Sequence, residues 1–326
     1  MTLRHRTKRM AGKILPRKVV ESLRPAVPFD NTYAWLNHAF SRVVRKPGCQ
    51  LRPQYAWGVV QGAALARVLG VSRVSVLEFG VAGGHGLLAL ECAAAAVETL
   101  TGVRVDVFGF DSGAGLPRPV DYRDQPNMWF EGQLPMDHGR LLAALSRASL
   151  RIGPVDETVP RFVAAHPAPV AFVSFDLDLY SSTRDALVLF QADHRLLLPR
   201  VLSYFDDIFG YSYNDFCGER LAIREFNEGG EARKISPVRG LRYFLPRSTF
   251  HDLWPDGMHF AHLFDHPLYG VLDSTAKPMY MDLEGNFVEA APERAERRRS
   301  QRRDPNLGGA RAARTERRTW HRRSAR

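Results

Sequence analysis

The chain has 326 residues, 45% of them apolar and 25% charged, with a formal net charge of +10. That is enough apolar material for one sizeable core and too much for a disordered protein. Residues 1–24 carry eight Lys/Arg against one Glu and residues 292–326 thirteen Arg against four acids, so residues 25–291 keep six net negative charges, which argues against a nucleic-acid-binding body and for an acidic domain between basic tails.

The N-terminal tail, 1–24, holds no apolar run of signal-peptide length, and no stretch of the chain approaches a membrane span. In the body, YAWGVVQGAALARVLG (55–70) predicts a helix, SRVSVLEFG (72–80) a strand, and HGLLALECAAAAVETL (85–100) a second helix. A strand RVDVFGFD (104–111), a long loop, a helix over 141–150 and a short strand near 150–153 follow. Then come a helix over 156–166, the strand VAFVSFDLD (170–178), the helix STRDALVLFQADH (182–194) and the strand RVLSYFDDI (200–208). These strands are near-continuous apolar runs, the pattern of a parallel sheet covered by helices on both faces. The expected fold is therefore a doubly wound, mostly parallel α/β sheet with its site at the carboxyl ends of the strands. Residues 231–290 read as closing strands of the same domain, and the Arg-rich tail 292–326 as a disordered extension able to contact anionic surfaces. The three cysteines, Cys49, Cys92 and Cys217, show no metal spacing and fit a reducing cytoplasm.

Chemistry concentrates where strands end. In VLEFGVAGGHG, Glu78 closes a strand and Gly80, Gly83, Gly84 and Gly86 line the turn into a helix. Counted from Gly80, the third and sixth places are Ala82 and His85, so the G-x-G-x-x-G spacing of a dinucleotide site fails. Asp111, at the end of FGFD, has two oxygens able to accept the two hydroxyls of a ribose. FDLDLYSSTRDAL places Asp176 and Asp178 two apart in a strand, projecting to the same side, and YFDDI ends on Asp206 and Asp207. Carboxylates gathered this closely repel unless a cation joins them, and an all-oxygen donor set suits Mg²⁺ or Ca²⁺. The segment 120–139 could close over such a site as a lid, and GYSYNDF (210–216) could stack on a sugar ring. His85, His138, His166 and His194 read as surface residues.

With these stretches in view, the chain resembles the class I S-adenosylmethionine-dependent methyltransferases, and more closely the macrocin O-methyltransferase family. LEFGVAGG, FDSGAGLP, FDLDLYSSTRDAL and YFDDI with CGERLAIREF carry the resemblance, in the family's order, across residues 70–228. It implies a Rossmann-like fold and S-adenosylmethionine bound through Glu78, Gly80, Val81, Gly84, Asp111 and Ser112. It also implies Mg²⁺ on Asp176, Asp206 and Asp207, and Asp178 as the base that takes a proton from a sugar or secondary-metabolite hydroxyl. The chain departs from the family at Leu177, Leu179 and Ser181, at Gly113 and Ala114, and at Leu198-Pro199-Arg200, changes that bear on the acceptor. A homo-oligomer is compatible with this reading. Two other readings compete: a nucleotide-sugar glycosyltransferase using Asp-Leu-Asp, and a cofactor-binding scaffold without turnover.

Overall fold

The computed structural model describes residues 30–44, 52–210, 212–245, 251–271, 279–281 and 287–289. The chain separates into two compact units, Phe29–Asp273 and Met1–Pro28 with Ser274–Arg326. In the second, the described residues form one antiparallel pair, Met279–Met281 with Phe287–Glu289, so the closing strands expected through residue 290 divide between the units. The basic tails lie outside the described residues.

In the unit Phe29–Asp273, two helices, α1 (Asp30–Val44) and α2 (Pro53–Val68), precede β1 (Arg73–Phe79), α3 (His85–Thr101), β2 (Arg104–Asp111), α4 (His138–Ala144) and β3 (Ser149–Ile152). The chain continues with α5 (Val155–Ala164), β4 (Val170–Phe175), α6 (Tyr180–Leu187), β5 (Leu197–Phe205), α7 (Gly218–Glu228), β6 (Arg233–Pro237), α8 (Trp254–Gly257) and β7 (Met258–Leu263). The strands form one sheet of order β3-β2-β1-β4-β5-β7-β6, in which β7 alone runs antiparallel to its neighbours. One layer, built on α1, α2 and α3, covers the face carrying Val74, Val76, Val105 and Val107. On the other face Leu77, Phe79, Val173 and Phe175 pack against α5, α6 and α7. No helix among the described residues is long and apolar enough to cross a membrane.

After β1 the chain winds to β2 and β3 on one side, then crosses to β4 and β5 on the other, so the switch point lies between β1 and β4. Open α/β sheets bind ligands at that crevice. A row of four phenylalanines runs beneath it: Phe79 pairs in register with Phe110 and with Phe175, and Phe175 with Phe205. Their rings lie 4.7, 5.4 and 4.6 Å apart along the row, and none is exposed. Because neighbouring residues on a strand point to opposite faces, the residue after each ring, Gly80, Asp111, Asp176 or Asp206, rises at the opposite rim.

Several expected limits shift. The strand drawn through Asp178 stops at Phe175, and the helix expected over 182–194 runs from Tyr180 to Leu187 and tightens into a 3₁₀ turn, Val188–Gln191. Asp176 and Asp178 therefore do not share a face by strand alternation; a different device aims Asp178. Cys217 is a free, buried thiol and Cys92 is disulfide-bonded.

Candidate functional site

A cavity of about 510 Å³ opens at the switch point, lined by Glu78, Gly80, Val81, Asp111, Ser112, Asp176 and Asp178 among others. Gly84, expected beside them, does not line it: it holds φ 82° at the start of α3, where a Cβ would meet Leu141 at 2.2 Å. Gly83 and Gly86 take its place on the wall.

The glycine turn is held from across the sheet. Asp111 Oδ2 accepts from the amides of Val81 (2.8 Å) and Ala82 (2.9 Å), and Oδ1 from that of Gly113 (2.6 Å). A carboxylate offers about four acceptor positions, so one remains for a ligand hydroxyl where the sequence allotted two. Gly80 cannot be replaced cheaply: a Cβ there would lie 1.8 Å from the carbonyl oxygen of Asp176.

Glu78 is 2% exposed. Its Oε1 accepts from the hydroxyl of Tyr55 (2.7 Å), which itself accepts from Ser174 Oγ (3.0 Å), while Oε2 is buried without a partner. Burial, with Asp176 nearby, pushes its carboxyl up to about 8 against the help of the Tyr55 bond. The lining residue Arg52 is the cation acting on both Glu78 and Asp176.

The acids after β4 and β5 converge. One carboxylate oxygen each from Asp176, Asp206 and Asp207 lies within 4.8 Å of the others. Asp207 Oδ2 accepts from the Asp178 amide (2.9 Å) and Oδ1 from the Tyr213 hydroxyl (2.9 Å), and Asp206 Oδ1 accepts from Tyr204 (2.7 Å). Burial first, then the neighbouring aspartates, raises Asp176 and Asp178 each to about 8, and burial raises Asp207 as well.

Asp178 is 5% exposed and holds φ 61°. The Leu179 amide donates to the Leu177 carbonyl at 2.5 Å, closing a three-residue turn centred on Asp178. This strained turn is rare away from glycine, and the Asp207 carboxylate holds it by taking the Asp178 amide.

Sequence reasoning missed Tyr55, Ser174, Tyr204 and Glu219, each brought in from a separate element. Glu219 in α7 is fully buried, and its Oε2 accepts from the Asp207 amide (3.1 Å). Tyr213, from the stretch expected to stack on a sugar, donates its hydroxyl to Asp207. The loop at 120–139 does border the cavity through Val120 and Leu134. It is tied down: buried Asp124 accepts from the Val120 amide, the Ser181 amide and the Ser181 hydroxyl, and Arg123 lies over the Tyr180 ring at 4.6 Å.

No protein-family model matches the chain, and a search of curated proteins finds no relative. Solved structures with a similar trace include CalS11, the calicheamicin methyltransferase, 22% identical over 68% of this chain and 92% of that one, with a TM-score of 0.43. The O-methyltransferase NovP is 14% identical over 71% of this chain and 99% of that one, TM-score 0.45. The MycE methyltransferase of the mycinamycin biosynthetic pathway, solved with Mg, SAH and mycinamycin VI, is 17% identical over 80% of this chain and 63% of that one, TM-score 0.33.

Proposed function

We propose that the protein is an S-adenosylmethionine-dependent O-methyltransferase that acts, with Mg²⁺, on a hydroxyl of a sugar or natural-product acceptor. The observation that carries the reading is one cavity at the switch point lined by the glycine turn, by Asp111 and by Asp176, which is itself one member of a three-carboxylate cluster with Asp206 and Asp207. Its volume is in the range of small-molecule sites.

S-adenosylmethionine would supply a methyl group on a positively charged sulfur. Glu78 presents an unpartnered buried oxygen suited to a donor group such as the methionine ammonium, and Asp111 keeps one acceptor position for a ribose hydroxyl. Gly80, Val81 and Ser112 shape the wall against which the cofactor rests. Asp176, Asp206 and Asp207 fit a hard divalent cation: all donors are oxygens, and hydrogen bonds from Tyr204, Tyr213 and the Asp178 amide orient two of the three carboxylates. Mg²⁺ held there would lower the pKa of a hydroxyl it touches. A cation on the neighbouring aspartates would offset the negative charge that helps to hold Asp178 protonated, and the ionised Asp178, fixed by its turn at the cavity wall, would accept the proton of the acceptor hydroxyl. Leu116, Pro117, Leu134 and Leu177 give the cavity its apolar walls and limit water around the reacting atoms.

The Asp-Leu-Asp glycosyltransferase reading is not favoured, because it has no use for Asp206 and Asp207 beside Asp176. A body of 25–291 between basic tails and a cytoplasmic setting complete the reading.

Calorimetry with S-adenosylhomocysteine, UDP-sugars and NAD, followed by methyl transfer to glycosylated acceptors with and without chelator, tests the whole reading. S-adenosylhomocysteine alone should bind, and chelation should stop transfer while leaving that binding in place. Binding of a UDP-sugar instead, or transfer unaffected by chelator, would overturn it.

A further inference from the structure

Among the described residues, Glu219 is a fully buried carboxylate that the reaction as derived does not use. It stands in the first turn of α7, and its Oε2 accepts from the Asp207 amide at 3.1 Å. Its other oxygen, Oε1, is buried and has no partner. The charges acting on it most strongly are those of Asp207 and Asp176, with Asp206 next among the acids. A buried acceptor left unpaired costs stability, and one more carboxylate among three aspartates costs more by repulsion. An apolar side chain of the same length would avoid both costs but would leave the buried Asp207 amide without its acceptor, so the fold accounts for Oε2 and leaves Oε1 unexplained.

We infer that Glu219 is a positioning residue of the cation site: Oε2 fixes the backbone of the Asp206–Asp207 pair, and Oε1 accepts a hydrogen bond from a water bound to the cation. This rests on the Mg²⁺ reading of Asp176, Asp206 and Asp207. Groups that orient metal ligands typically change metal affinity 10–100-fold when altered.

Glu219→Gln isolates the second part of the role. The amide oxygen still accepts from the Asp207 amide, so the turn is preserved, while the –NH₂ replaces an acceptor with a donor that a cation-bound water cannot use. Mn²⁺ binding to the full chain, followed by electron paramagnetic resonance without any substrate, should weaken roughly 10–100-fold in E219Q. The melting temperature of the metal-free variant should equal or exceed that of wild type, an outcome that a purely structural glutamate would not give. Equal Mn²⁺ affinity in wild type and E219Q overturns the role of Glu219 and leaves the three-aspartate site standing; no stoichiometric Mn²⁺ in wild type overturns both. Should E219Q not fold, Glu219→Met, which also gives up the Asp207 amide bond, tests both parts of the role together, and unchanged Mn²⁺ affinity there overturns it.

Discussion

Asp111→Asn separates two roles that the structure gives to one carboxylate. Asp111 ties the Val81, Ala82 and Gly113 amides together, so it stabilises the glycine turn before any ligand arrives. An asparagine keeps one acceptor oxygen; whichever way the amide faces, its –NH₂ confronts at least one of those N–H donors. Hydrogen bonds to a charged group contribute about 1.5–3 kcal/mol each, and water in the adjoining cavity can satisfy part of what is lost. We therefore expect a loss of about 2–4 kcal/mol in the unfolding free energy of the ligand-free protein, measured by urea denaturation. S-adenosylhomocysteine affinity should fall alongside it, by calorimetry. Weaker ligand binding with ligand-free stability unchanged would show that Asp111 only serves a ligand, and would refute the turn-holding role.

Gly86→Ala should destabilise by about 1–3 kcal/mol despite the better helix propensity of alanine, because the new Cβ would fall 1.7 Å from Glu78 Oε1; a variant as stable as wild type would mean that Glu78 is not seated under α3. Asp178→Gly should stabilise the metal-free protein by about 1 kcal/mol, since glycine holds a positive φ without strain, while removing methyl transfer; a loss of stability would contradict the strained turn. The Glu78 carboxyl is raised to about 8 in the folded chain from about 4.3 unfolded, so its contribution is full below that lower value and is lost as pH rises towards 8. Urea titrations of the metal-free protein across this window should fall more steeply with pH for wild type than for Glu78→Gln, and parallel curves would count against a buried, neutral Glu78.

Much of the sheet was legible because its strands are apolar runs broken by turn residues: RVDVFGFD marks β2 at both ends. The acids at the strand ends were legible for the same reason, as charges in sudden contrast with the runs before them. The end of β4 was not, since alternation in Asp-Leu-Asp-Leu imitates a strand and nothing local announces a turn that depends on Asp207, 29 residues on. Tyr55, 23 residues before Glu78, and Glu219 entered only through tertiary packing. A usable signal did stand in the sequence: β2, β4 and β5 each lead into Phe-Asp, at 110–111, 175–176 and 205–206, and aligning those pairs gives the register that gathers the acids.

That phenylalanine row also bears on kinetics. Two of its touching rings, Phe79 and Phe175, lie 96 residues apart in the chain, so closing the row requires a long loop to be ordered first, and such non-local contacts form slowly. We expect the acids just beyond the rings to meet only after the row has closed, so that the pocket is completed on the native side of the main folding barrier. Interactions absent from the transition state act on the rate of escape from the native state and not on the rate of arrival. A ligand seated there should therefore lengthen the lifetime of the folded chain while leaving its refolding rate untouched, and resistance to protease under strongly unfolding conditions would report occupancy without any turnover.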